Sequence, residues 1–241
     1  MFAGKKRSES LEIIIGDQIE LNNWFGPDAL FNRTTEYDDF FNGVDAVAEF
    51  KNKEKPQRLA LAIDATMKAD LTGVKKKIDR NISKLLNNNL EVKYFESKID
   101  DYKGKLKNVI PVVLGVEGED ADELVHKFAE LIHLKKKLYK NDSDEKLISE
   151  KKNQLAQHPV QIIFLKEIKL QLDMYHHILE KENNKSIFVD TQQITDMTSL
   201  IDGILKDKHD IEQQPEMKLL EHDAMYNLIQ YISKSETKKK D

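Results

Sequence analysis

Two aspartates stand near the ends of two short apolar runs, Asp45 early in GVDAVAEF (residues 43–50) and Asp64 late in LALAIDAT (residues 59–66). If the runs pair as an antiparallel hairpin, the two carboxylates lie side by side, because antiparallel partners run in opposite directions. Adjacent carboxylates suit a divalent cation: Mg²⁺ is a hard ion that takes oxygen ligands, often uses one or two protein carboxylates and keeps several waters. Such an ion can position water and neutralise charge on a phosphodiester. Glu36, in the segment before the first run, adds a third acid. The plainer reading is that these are solvated acids at strand ends, Asp45 simply following the Asn42-Gly43 turn.

The elements that must place these residues follow from periodicity. Strand side chains alternate, so Asp45, Val47 and Glu49 share one face of the first run, and Asp64 and Thr66 lie with Ala60 and Ala62 on the second. The connection, residues 51–58 with Pro56, is charged and reads as a solvated loop. Upstream, Asp28 can cap a short helix from Ala29 to about Tyr37, with Glu36 near its end. Residues 10–23 mix an apolar run with polar residues around Gly16 and fit no single period. Downstream, Asp70 or Thr72 starts a helix running to about Asn87, with Val74, Ile78, Ile82 and Leu85 as its buried stripe. LEVKYFES (residues 90–97) and VIPVVLGV (residues 109–116) read as two further strands. A helix between strands implies a right-handed crossover, which sets the third strand parallel to the second.

From Ala121 onward the pattern is helical. Helices are expected over residues 121–140, 142–157, 160–182, 194–206 and 217–233, with 160–182 the longest and residues 234–241 a charged tail. No Gly/Ser-rich linker separates the halves. The expected organisation is therefore an α/β core over residues 1–118 and a helical region over 119–241, packed on the core or continuing it.

Composition narrows the classes of function. At 241 residues and 28.0 kDa the chain can bury a proper core. It has no cysteine, which excludes disulfides and thiolate metal sites and favours a reducing compartment. The opening residues lack the apolar stretch of a signal peptide, and no run approaches the roughly 20 apolar residues of a membrane span, so a cytoplasmic protein is expected, with no membrane partner. A net charge of −5 argues against indiscriminate coating of nucleic acid but allows a local basic channel. No glycine-rich phosphate loop and no Gly-X-Ser-X-Gly elbow occurs, which leaves NTPase, kinase and serine-hydrolase readings unsupported. His126 and His133, and the adjacent His176 and His177, lack the spacing of a helical zinc site.

Helix, aspartate-bearing hairpin, helix and further strands, over roughly residues 29–116, resemble the restriction-endonuclease-like, or PD-(D/E)XK, nuclease superfamily. The resemblance implies an α-β-β-α-β core with a mixed sheet. It implies Asp45 as the motif aspartate, Asp64 as the acid of the tripeptide Asp64-Ala65-Thr66, the Ala65 carbonyl as an extra ligand, and Glu36 as the helix glutamate. It further implies Mg²⁺ or Mn²⁺ as cofactor, phosphodiester hydrolysis, nucleic acid, DNA first, as partner, and dimerisation through the helical region. Thr66 stands where the pattern has lysine; in the superfamily that lysine can migrate, and Lys68, Lys75 and Lys76 are the candidates, Lys68 first. Glu91-Val92-Lys93 is a literal acid-X-lysine, but a third strand parallel to the second sets Glu91 at the opposite edge of the sheet from Asp64. The competing function is a catalytically inactive domain of this type serving protein interaction, which the missing tripeptide lysine and the acidic net charge favour.

Overall fold

The computed structural model describes residues 2–51, 58–67, 70–137, 141–182 and 189–238, and is a mixed α/β structure whose second half is helical. Helix α1 (Phe2–Asn22) precedes strand β1 (Ala29–Arg33), a short π-helical turn (Asp38–Asn42), β2 (Ala46–Phe50) and β3 (Leu59–Thr66). Helix α2 (Leu71–Leu86), β4 (Val92–Glu96), β5 (Lys103–Leu106) and β6 (Ile110–Gly115) follow. The helical half comprises α3 (Gly118–Lys135), α4 (Asp142–Ala156), α5 (Val160–Glu182), α6 (Thr191–Asp207), the short α7 (His209–Glu212) and α8 (Met217–Leu220), and α9 (Ala224–Lys238). No helix among the described residues is long and apolar enough to cross a membrane.

The main sheet has the order β1-β2-β3-β6, antiparallel across its first three strands and parallel between β3 and β6. All eight residues of β3 are buried, as expected of a strand with neighbours on both sides and cover on both faces. One face, including Ala46, Ala48, Leu61 and Ile63, joins a large core with Leu11, Ile14, Ile15 and Ile19 of α1, Val74 and Ile78 of α2, and most of α5. On the other, Val47, Ala60 and Ala62 pack under Val92, Phe95 and Leu106 of a separate β4–β5 hairpin.

Three expectations are corrected. Residues 29–33 are strand β1 rather than helix, and of the expected helix only Glu36 and Tyr37 are helical, opening the turn that runs to Asn42; the long helix before the sheet is α1, over the stretch whose period was ambiguous. Gly16 obscured it. A Cβ there would lie 2.7 Å from the Phe31 ring, so the glycine is the notch through which α1 sits close on β1. The strand at residues 90–97 does not join the sheet beside β3; it pairs antiparallel with β5, and the parallel neighbour of β3 is β6. The helix expected over residues 217–233 is two helices, broken where the Asp223 carboxylate accepts the N–H groups of Met225 and Tyr226.

Two buried carboxylates attach the β4–β5 hairpin. Glu49 accepts from Asn32 Nδ2 (2.5 Å), Arg58 (2.7 Å), the Ser97 hydroxyl (2.8 Å) and the Lys98 N–H (3.0 Å). Asp38 accepts from the Lys93 and Tyr94 N–H groups (2.8 and 3.2 Å) and from Asn42 Nδ2 (2.7 Å). Buried charge is tolerated here because hydrogen bonds replace the lost water.

Helix α5 is tied to the outer side of β6 by side chains rather than by another strand. Gln171 accepts from the Val113 N–H and donates to the Val113 carbonyl, both at 2.8 Å, and Glu167 accepts from the Gly115 N–H at 3.0 Å. Both side chains are fully buried, and the β6 edge they hydrogen-bond explains why.

Candidate functional site

Asp45 is the residue before β2. Its N–H donates to the Ile63 carbonyl at 2.8 Å, and the register pairing Ala46 with Ile63 carries Asp45 to the position opposite Asp64. The expected pairing of the two aspartates is therefore present. Asp45 Oδ2 accepts from the Ala65 N–H at 2.7 Å, which orients the carboxylate across the end of β3. Asp64, near the C-terminal end of β3, is nearly buried and accepts two cations from α2: Lys77 Nζ at 2.5 Å on Oδ1 and Arg80 at 2.6 Å on Oδ2.

Helix α2 presents these cations because Asp70 caps it, accepting from the Gly73 N–H at 3.0 Å, and because Val74, Ile78, Asn81 and Leu85 fix its rotation against the core. Lys77, Arg80 and Lys84 then recur three and four residues apart beside that buried stripe. Lys84 reaches the Asn42 carbonyl at 2.6 Å, and Arg80 also donates to the Gly43 carbonyl at 3.3 Å. Gly43 ends the π-helical turn with φ +57°, and a Cβ there would lie 2.3 Å from the Arg80 guanidinium. Both the left-handed backbone and the room for Arg80 require glycine.

The aspartates open into a cleft of about 1090 Å³ whose lining includes Glu12, Arg33, Glu36, Asp39, Lys77 and Arg80. Burial pushes the Asp45 carboxyl up to about 8, helped by the neighbouring charge of Asp64 and opposed by the Ala65 N–H. Burial also raises Glu12, against the pull of Arg33, which donates to it at 3.2 Å. A buried corner with several acids holds a proton or a cation, since like charges at low dielectric cannot all stand ionised.

The expected residues divide as follows. Asp45, Asp64 and Ala65 meet at one end of the cleft, and Glu36 lies exposed on its wall, at the start of the helical turn that leads toward Asp45. Glu9 and Glu12 of α1 line the same cleft and were missed because α1 itself was not read. Lys68 lies outside the described residues. Lys75 is engaged by Asp79 and Glu236, and Lys76 is exposed; the amine on Asp64 belongs to Lys77, whose signal was its place in the basic stripe of α2. Glu91 pairs with Lys105 in the hairpin, and Lys93 lies over the Tyr37 and Tyr94 rings, so this acid-X-lysine is in a different sheet from Asp64. Among the described residues, no three acid or histidine side chains are already gathered as a cation site.

Comparison with protein-family models, curated proteins and solved structures finds no match to this chain.

Proposed function

We propose that the chain is a metal-dependent nuclease of the restriction-endonuclease-like kind, hydrolysing phosphodiester bonds of DNA at the cleft of Asp45 and Asp64. The observation that carries this reading is the meeting of two carboxylates from adjacent strands with the Lys77 amine on one of them. The element order supports it: a helix, three antiparallel strands, a second helix and a strand parallel to the third. The lysine missing at Thr66 has a spatial substitute on α2.

The donor set fits Mg²⁺ or Mn²⁺, since two oxygen-donor side chains suffice for an ion that keeps its remaining waters, and since a cation would relieve the burial and the Asp64 charge that together raise the Asp45 carboxyl. Asp45 and Asp64 would hold the ion, which supplies Lewis acidity and a water of lowered pKa. The chain's own groups do the rest. Glu12 faces the same corner and can accept a proton from attacking water; Lys77 and Arg80 can turn from Asp64 to the phosphate oxygens.

Incubation of linear and single-stranded DNA with Mg²⁺ or Mn²⁺ tests the reading. Cleavage is expected in wild type and absent in Asp64→Ala of unchanged fold; an equal rate in that variant sinks the proposal. One observation favours the second reading, an inactive domain serving protein contacts: both Asp64 oxygens are already engaged by Lys77 and Arg80. Mn²⁺ titration separates the two, because an inactive domain locked by those ion pairs binds no ion.

A further inference from the structure

The cleft has an unusual rim. Phe40 and Phe41, in the π-helical turn, are 81% and 64% exposed, and Tyr94 is 55% exposed. Apolar rings are favoured out of water, so two adjacent exposed phenylalanines carry a standing cost unless something covers them. They form one cluster. Tyr37 and Phe41 have ring centroids 4.7 Å apart, Phe40 and Phe41 5.0 Å in an edge-on arrangement, and Tyr37 and Tyr94 5.6 Å edge-on. Lys93 Nζ sits 4.4 Å from the Tyr37 ring centre.

The cluster stands on a rigid base. Asp38, fully buried inside the turn, accepts the N–H groups of Lys93 and Tyr94, which locks the turn to β4. Gly43 closes the turn with backbone bonds to Asp38 and Asp39, and Lys84 ties its last carbonyl to α2. The same turn leads directly into Asp45. Tyr37, Phe40 and Phe41 line the cleft together with Asp45, Asp64, Arg33, Lys77 and Arg80.

We propose that Tyr37, Phe40, Phe41 and Tyr94 are a stacking platform for unpaired bases, so that the substrate is single-stranded nucleic acid or an unpaired end rather than intact duplex. The proposal rests on the cleft being a nucleic-acid site and names its substrate class. Aromatic faces combined with cations that track a phosphate backbone are the general means of binding single strands, because every base has a π-face whatever its sequence. Bases inside a duplex are already stacked on one another and cover a projecting phenylalanine only at the cost of unstacking a step. Continuity with the aspartates and the nearby cations Arg33, Lys77, Arg80 and Lys93 favours nucleic acid as the occupant. The acids of the cleft oppose the phosphates, and the ion held by Asp45 and Asp64 would offset them.

The test is fluorescence anisotropy in Ca²⁺, an oxygen-seeking ion of the same charge that keeps the acids offset, with probe integrity checked on a gel, using a labelled oligothymidine of roughly 15 nucleotides and a blunt duplex of mixed sequence. Wild type is expected to bind the single strand at least tenfold tighter than the duplex. Phe40→Ala/Phe41→Ala is expected to lose roughly tenfold or more of single-strand affinity, with unchanged circular dichroism, because neither ring is part of the core. Phe41→Trp is expected to retain affinity, and its indole emission to be quenched by the oligonucleotide, against the constant signal of the buried Trp24. Equal affinity for single strand and duplex, no oligonucleotide binding, or unaltered affinity in the double alanine variant overturns the platform. So does a loss of self-association in that variant with oligonucleotide binding intact, which marks the patch as a protein contact. Single-strand binding without any metal-dependent cleavage supports the platform while removing the nuclease reading; duplex cleavage with no single-strand preference does the reverse.

Discussion

Lys77 Nζ lies 2.5 Å from Asp64 Oδ1, so an amine from α2 occupies the place beside the strand acid that Thr66, two residues along β3, cannot fill. Thr66 is itself buried and paired in register with Gly115 of β6, at a point where any Cβ on Gly115 would lie 2.7 Å from the Thr66 carbonyl. Lys77→Ala is therefore expected to lower the cleavage rate by about 10²-fold or more, the usual scale for removing a group that moves a proton or meets developing charge. A rate within twofold of wild type would show that Lys77 serves Asp64 only as an ion pair.

The Asp45 carboxyl is raised to about 8 in the folded chain, against an ordinary value near 4 when unfolded. The folded state thus holds a proton that the unfolded state releases. Stability linked to this group is greatest below pH 4 and is lost as pH rises toward 8. Asp45→Asn removes that loss while its side-chain oxygen can still accept the Ala65 N–H. It is expected to stabilise the fold at pH 8 by on the order of 1–3 kcal/mol in chemical denaturation while abolishing cleavage. A destabilised Asn variant contradicts the electrostatic account.

The same proton competes with a cation. Mn²⁺ affinity of the wild-type chain, followed by calorimetry in two buffers of different ionisation enthalpy, is expected to rise as pH increases from 6 to 8 and to level off above it, with proton release on binding. Affinity independent of pH excludes Asp45 as a ligand.

His158 precedes α5, and its Nδ1 accepts the Val160 N–H at 3.3 Å while Trp24 packs against the ring with centroids 6.5 Å apart. Burial lowers this imidazole from about 6.5 to about 4. The unfolded state therefore takes up the proton first. Stability is full above pH 6.5 and declines as pH falls from 6.5 to 4, by on the order of 3 kcal/mol in total. His158→Asn keeps an oxygen acceptor at the start of the helix without a titrating group, so its urea midpoint is expected to stay flatter across that interval than that of wild type.

Glu49→Ala is expected to cost on the order of 3–5 kcal/mol, since it leaves the partly buried Arg58 guanidinium without its inner partner and Asn32, Ser97 and Lys98 without an acceptor. Glu49→Gln is expected to cost less. Amide exchange should show the β4–β5 hairpin loosening before the main sheet; uniform loss of protection across both sheets would instead make the hairpin part of one cooperative unit.

Strong periodicity made much of the fold legible. Helix α5 spans the residues of its apolar pattern, and the facing aspartates followed from pairing the two apolar runs antiparallel. The failures have physical causes. Gly16 reads as a helix breaker, but its lack of a side chain is what Phe31 needs. Residues 29–33, with Ala and Leu favouring helix, were drawn into the sheet by pairing with β2, a tertiary effect that local propensity does not contain. Strand β5, KGKL, is too polar and short to announce itself. Lys77 was hidden in a run of three lysines, and only the rotation of α2 on the core distinguishes the one that meets Asp64. Glu12 became visible only with its helix.

The grip of Gln171 and Glu167 on β6 bears on how the chain can be divided. Without α5, the strand Ile-Pro-Val-Val-Leu-Gly would end the sheet as a flat apolar edge with unclaimed amides, a template for adding strands from neighbouring copies. A fragment ending at residue 118 would hold both aspartates and Lys77 yet leave that edge uncovered, so the second half completes the sheet that carries the site.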